Sequence, residues 1–528
     1  MNKDAKSEVA FNGKLAVLLA MAMFVLVVDT SIMNVSISAV VADIGTTVSG
    51  VQSAIALEAL VSAAFILIGS KTGDLIGRKR AYVIGLLCYA AGAIAMTLAQ
   101  TLLPIIVFWA VVGGLGASLL LPSMQSLIHG NFEGAAQKRV YALVGGSAAI
   151  AAAVGPLIGG FITTFWSWRI AFLLEALVIG VVLTGIKLVH DVPYTGSRKI
   201  DAVGSILSVV GMGGVVIGIL VWQEGEGPVL AIIAVGLLGL GSLAYWLVRR
   251  QRQGNAMLLD PDLFRSKPFR IGVTQQMLQQ IALGGSMIVL PIYLQMVLGY
   301  NALQAGLSIA PLSLSMFAVA MIAGKMQRPI RPANLVLWGF LLLLVGLLAL
   351  IPVVPRATSG WLLLVPLLVC GCGLGLLVSQ LNNYTLSPIT DERVSEAAGV
   401  NSAAGSFGLS FGLAFAGAIM LASLAYVFTG MSNASTVLPG EEKQQVAQVL
   451  QEDAEFMSND LLAGLLVDQP EPIQEEVIRI NTEARPIALQ IALLIPILTA
   501  VVGVINAFRM RRLADPVSAG SGGHSLLD

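Results

Sequence analysis

Charge is what this sequence has least of. Of its 528 residues 11% are charged and 56% hydrophobic, whereas a soluble domain carries about 25% charged residues. Too few polar groups remain to cover a water-facing surface, and a mean hydropathy of +0.86 agrees. A soluble globular fold is thereby excluded. The formal net charge is zero, so nothing points to a nucleic-acid partner. Histidine and cysteine are also scarce. His129, His190 and His524 are scattered, and Cys88, Cys370 and Cys372 sit in apolar runs. Nothing near the C-x-C at 370–372 completes a zinc set, so neither a metal site nor a redox role is expected. The glycine-rich lysine loop of nucleotide-driven pumps is missing, which argues against ATP as the driving force. No catalytic constellation appears, so neither an enzyme nor a cofactor is expected.

What is abundant is long apolar runs. A membrane span takes about 20 mostly apolar residues. Such runs recur at about 15–39, 51–70, 81–99, 102–124, 140–162, 170–189, 202–222, 229–248, 271–298, 305–325, 332–353, 361–381, 401–428 and 487–508. They lack the period-2 alternation of barrel strands, and only helices otherwise satisfy their own backbone in lipid. The class is therefore an all-α integral membrane protein with about 14 transmembrane helices. The run at 15–39 is too long for a signal peptide and reads as a retained first span.

The few charges test this threading. With the N-terminus placed in the cytoplasm, 25 of the 30 Lys and Arg residues fall in inside segments, leaving Arg169, Arg356, Lys443, Arg479 and Arg485 outside. That bias fits the positive-inside rule and puts both termini in the cytoplasm. It assigns 1–14 to an N-terminal tail, 15–190 to a six-helix bundle and 202–248 to an inserted helix pair. A second six-helix bundle follows at 271–508, then a tail at 509–528. An acidic segment at 429–486 lies outside. Its apolar spacing around Val446, Leu461 and Ile478 predicts short amphipathic helices, which form either a solvated cap or a gate. A multi-pass plasma-membrane protein, in bacteria the inner membrane, is expected, surrounded by the lipid bilayer and acting as a monomer.

Between the second and third runs lies Gly69-Ser-Lys-Thr-Gly73-Asp74-Leu-Ile-Gly77-Arg78-Lys79-Arg80. Its glycines permit close backbone approach, and its aspartate sets a negative charge at a helix end. The loop resembles the signature of the major facilitator superfamily, with Ser70 and Thr72 where glycine and leucine are usual. Further segments are similar to the 14-span drug:proton antiporter subgroup. These are Asp29-Thr-Ser-Ile-Met-Asn34-Val, Gly155-Pro156-Leu-Ile-Gly159-Gly160, Ser167-Trp168-Arg169 with Phe172, Asp260-Pro-Asp-Leu-Phe264, and Tyr293 to Tyr300. The resemblance implies two six-helix bundles with two inserted helices, alternating access, and a small-molecule substrate exchanged for protons.

It also implies roles. Gly73, Asp74, Gly77, Arg78 and Lys79 would form a conformational latch, with Asp74 against the start of the thirteenth span near Ala398–Ser402 and Arg78 paired with Glu133. Gly155, Pro156, Gly159 and Gly160 read either as an exporter-type gate or as ordinary close packing of a bent helix. The physics singles out Asp29, Glu58 and Glu175, three acids inside apolar runs. An ionised carboxylate there costs at least about 2.5–3.5 kcal/mol, so each must face a cavity, meet a partner or carry a proton. They are the proton-coupling candidates. Asn34, Gln275, Gln279, Asn382 and Asn383 are candidate substrate-cavity residues, although Gln275 and Gln279, four apart on one helix face, serve equally as interhelical glue. With few buried cations the cavity favours neutral or cationic amphiphiles.

One departure matters. Ala110 stands where the subgroup carries an arginine that tunes the first-span acid. Two readings follow: proton-coupled efflux of lipophilic cationic or neutral compounds, and export of a specific metabolite or lipid without classical proton coupling. A non-transporting scaffold or receptor is the remaining class.

Overall fold

The computed structural model describes residues 12–132, 134–191, 201–223, 227–255, 257–325, 330–357, 359–389, 393–439, 443, 466–467 and 469–513. Fourteen helices within them are long and apolar enough to cross a membrane. In chain order these are α1 Gly13–Ile44, α2 Val48–Ile76, α3 Arg78–Leu98, α4 Leu102–Asn131, α5 Arg139–Phe165, α6 Trp168–Leu188 and α7 Ala202–Trp222. The others are α8 Val229–Arg252, α9 Lys267–Gln295, α10 Ala302–Ala323, α11 Pro332–Arg356, α12 Gly360–Leu386, α13 Glu396–Ala434 and α14 Glu471–Arg511. The chain is a multi-pass, all-helical membrane protein.

Two sets of six helices repeat one packing plan. In the first set α1 packs on α5 and α6, α2 on α4, and α3 on α4 and α6. Adding eight to each number gives the second set: α9 on α13 and α14, α10 on α12, and α11 on α12 and α14. The sets meet along two seams, α2 with α13 and α5 with α10, which the same exchange interconverts. The pair α7–α8 falls outside this plan. Helix α7 lies against both α2 and α13, while α8 packs mainly on α7.

Two expectations need revision. The segment 429–486 is helical at both ends, because α13 runs on to Ala434 and α14 begins at Glu471. These extensions hold together through Leu424, Phe428, Leu438, Val477, Ile480 and Ala484, apolar positions on otherwise polar helix ends. The short helices expected around Val446 and Leu461 lie outside the described residues. The second revision concerns α4. Residues Ile105–Gly113 are π-helical, and a π turn holds one residue more than an α turn, rotating the side chains that follow.

Candidate functional site

Helix ends where most Lys and Arg collect define a basic face of the bundle; the ends with Asp43, Arg169 and Glu471 define the opposite face. Asp29 sits midway along α1 and is fully buried, at 0% exposure. Its carboxylate accepts the Tyr89 hydroxyl from α3. It also accepts the Trp109 indole N–H from α4, 3.0 Å from each oxygen. Trp109 belongs to the π segment and is braced edge-on by Phe172 at 6.4 Å, which meets Trp168 at 6.1 Å. Glu175 of α6 interacts with Asp29 across the bundle, and Glu58 of α2 lies within its Coulombic reach. The three acids named from sequence therefore share one site. Sequence reasoning missed Trp109. The neighbouring Ala110 stood out as an absent arginine, while Trp109, the residue before it, lies in the π segment and reaches Asp29.

At the basic face the signature loop is tightly held. Gly77 has a φ of +100°, a conformation open to glycine, and a Cβ there would lie 2.7 Å from the Asp191 carboxylate. Asp191 accepts the Lys79 backbone N–H at 2.9 Å, and the Lys79 ammonium donates to the Val189 carbonyl at 2.8 Å. Asp74 and Arg78 are both 6% exposed and pair with each other; Arg78 also donates to the Ser70 carbonyl at 3.2 Å. Gly73 is packed under Arg78 and Ser123. Asp74 takes as its partner an arginine one turn away, whose full charge is stronger than a helix terminus. Glu133 lies outside the described residues.

Toward the opposite face the glycine motif of α5 is wedged between two helices. A Cβ on Gly155 or Gly159 would run into Ser31 or Ile32 of α1, and one on Gly160 would lie 2.5 Å from the Ala302 carbonyl of α10. Gly306 of α10 packs on the Pro156 carbonyl in return. Thr164 accepts the Leu303 N–H at 3.0 Å, and Ser36 shares a hydrogen bond of 2.8 Å with Thr163. Gln295, in a second π turn at the end of α9, accepts from the Ser38 hydroxyl and backbone of α1. Asp43 receives Arg169 and, at 2.9 Å, the Trp168 indole. Gln295 and Asp43 were not singled out from sequence, because a polar residue at a span end is unremarkable without its partner. Nearer the basic face, a Cβ on Gly145 or Gly146 of α5 would meet no atom within 4 Å. The α2/α13 seam holds along its length: Ser410 donates to the Ala56 carbonyl at 2.6 Å, and Gly399 approaches Leu67.

The polar candidates divide. Gln275 is fully buried and donates to the Gly503 carbonyl at 3.0 Å, joining α9 to α14; Gln279 is 1% exposed beside it in sequence. Gln276 and Gln280 instead face Gly405 of α13. Asn382 accepts from Asn401 at 3.2 Å, and both Asn382 and Asn383 are exposed near the basic face. Asn34 donates to the Thr30 carbonyl at 2.8 Å, leaving its buried carbonyl oxygen without a donor.

The comparisons agree with this architecture. The family model described as Major Facilitator Superfamily matches residues 19–413. The chain is 28% identical to Multidrug resistance protein Stp of Mycobacterium tuberculosis (strain CDC 1551 / Oshkosh) over 408 residues, covering 76% of this chain and 75% of that one. It is 25% identical to Multidrug export protein EmrB of Escherichia coli (strain K12) over 75% of this chain and 78% of that one. It is 28% identical to Puromycin resistance protein pur8 of Streptomyces alboniger over 80% and 85%. Among solved structures, a bacterial homolog to the human lysosomal transporter Spinster superposes with a TM-score of 0.62 at 13% identity, covering 96% of this chain and 99% of that one, a likeness of fold. A family match spanning most of both helix sets, joined to two like-packed sets of six helices and a membrane-buried acid site within the first, leads to one conclusion: the chain belongs to the Major Facilitator Superfamily and is a secondary transporter of a small molecule, not an enzyme.

Proposed function

We propose that this transporter exports lipophilic cationic or neutral compounds in exchange for protons, with its basic face and both termini in the cytoplasm of a bacterial cell. The observation that carries the reading is Asp29, a carboxyl at 0% exposure in mid-span that is held by hydroxyl and indole donors and, among the described residues, by no cation. A carboxylate so placed is expensive in a membrane, and binding or releasing a proton as access alternates is the simplest use for it. The names of the relatives, multidrug resistance, multidrug export and puromycin resistance, support the direction and substrate class. The latch loop and the α5 glycines are then the parts that hold each face shut in turn, and Asn34, Gln276 and Gln280 are polar contacts toward the substrate.

Everted vesicles containing the protein test this with an ethidium-like dye and an imposed pH gradient. Dye movement follows the gradient and is lost in Asp29→Asn. Movement indifferent to the gradient, or unchanged in that variant, refutes the exchange.

A second reading, export of a specific metabolite or lipid without proton exchange, draws on Ala110, which leaves Asp29 without the cation found in the subgroup. Gradient-independent flux of one compound, with ethidium inert, would select it.

A further inference from the structure

The three membrane acids are unequally served. Asp29 receives three hydrogen bonds, one from Tyr89 and two from Trp109. Glu175, 4% exposed, receives none: neither of its oxygens has a donor among the described residues, and the group it does interact with is the Asp29 carboxyl. Glu58 keeps 8% exposure and stands off as a third acid within Coulombic reach of Asp29. The titratable groups acting on this centre are Asp29, Glu58, Tyr89 and Glu175, and among the described residues no lysine or arginine does so.

Two carboxylates in contact inside a medium of low dielectric repel too strongly for both to be charged. Two neutral acids would leave the hydroxyl and indole donors on Asp29 serving a group that does not need both. One proton between the two groups serves them best, leaving only the second Glu175 oxygen without a donor among the described residues. Glu175 as the acid supplies an O–H and needs an acceptor, which Asp29 provides. Asp29 as the anion needs donors, which Tyr89, Trp109 and Glu175 provide. Donors and acceptors are thus best matched with a single negative charge on the pair.

We infer that Asp29 and Glu175 work as one unit holding a single exchangeable proton, with Trp109 as the positioning residue that fixes the charged member where the subgroup uses an arginine. The indole brings direction without charge, so the site keeps one net negative charge in the singly protonated state and none after a second proton arrives. This inference rests on the exchange reading above, which it deepens by assigning the proton to a pair in place of Asp29 alone.

Infrared difference spectroscopy of the full-length protein in lipid, titrated with acid and base, reads the carboxylic-acid C=O band without substrate or gradient. At neutral pH the wild type shows a protonated carboxyl. Its band is lost in Glu175→Gln and displaced in Asp29→Asn, because the acceptor changes from carboxylate to amide. Trp109→Phe also displaces it, whereas Trp168→Phe, which removes the indole donating to Asp43, leaves it in place. A band unaltered by Glu175→Gln, or indifferent to Asp29→Asn, overturns the pair. A band indifferent to Trp109→Phe overturns the positioning role. Gel filtration and thermal unfolding of each variant confirm that a folded protein is being read. Since vesicle transport and the infrared band are separate measurements, the pair can fail while proton exchange stands, and the reverse.

Discussion

Gly160→Ala is the sharpest perturbation of the α5/α10 seam. An alanine Cβ at this position lies 2.5 Å from the Ala302 carbonyl oxygen and 2.9 Å from the Leu303 Cα. Both are backbone atoms of α10, which cannot turn aside as a flexible side chain does, so the helices must part by several tenths of an ångström. Overpacking of this kind costs about 1–3 kcal/mol. If that cost falls on the state closed at the opposite face and is relieved when the face opens, the balance moves by roughly 5- to 150-fold toward opening, at a factor of ten per about 1.4 kcal/mol. Double electron–electron resonance between spin labels on Phe165 and Leu307, both exposed, reads the shift as a longer distance population in reconstituted protein. Gly145→Ala is the control: its Cβ meets nothing within 4 Å, and replacing a mid-helix glycine removes backbone freedom from the unfolded chain, which is neutral to mildly stabilising. A Gly160→Ala distribution matching wild type in a folded protein, or an equal shift in Gly145→Ala, refutes the seam argument.

Other perturbations follow from the same geometry. Gly77→Ala meets both a positive φ and the Asp191 carboxylate, so thermal unfolding in detergent should show a loss of about 1–3 kcal/mol; a wild-type melting temperature counts against the loop's role as a rigid clip. Tyr293→Phe removes a buried hydroxyl that serves the Val354 and Ala357 carbonyls at 2.9 and 3.1 Å. It should cost about 1 kcal/mol and loosen the loop before α12, seen as faster amide exchange at 354–360. The Arg393–Asp260 pair, 2.6 Å apart but about a third exposed on the arginine side, should contribute no more than about 1 kcal/mol. The double exchange Arg393→Asp with Asp260→Arg should restore what either single change loses, and failure to do so assigns the effect to Glu396, which holds the Asp260 backbone N–H.

The threading of the chain was legible because charge is costly in lipid: each span stands out as a run too apolar to be anything else, and Lys79 or Arg509 marks where it ends. The acids at 29, 58 and 175 were legible for the same reason. Their convergence was not, since nothing in one dimension says that mid-spans of α1, α2 and α6 meet. Trp109 was hidden by helix register, which a π turn altered by one residue. The pairing of Asp74 with Arg78, four residues on, was open to the sequence, but the signature pattern drew both residues toward other partners. Gln275 and Gln276 differ by one position yet by a full change of role, because adjacent residues on a helix point about 100° apart and only the neighbours of α9 decide which direction is interior.

The placement of α7 has a mechanical consequence. The two seams are related by the repeat, but one of them carries a splint. Separating α2 from α13 also requires stripping each of them from α7, whereas separating α5 from α10 strips neither from the inserted pair. Equal effort applied to both edges therefore yields unequal travel, and the molecule bends about its splinted edge as a book opens about its spine.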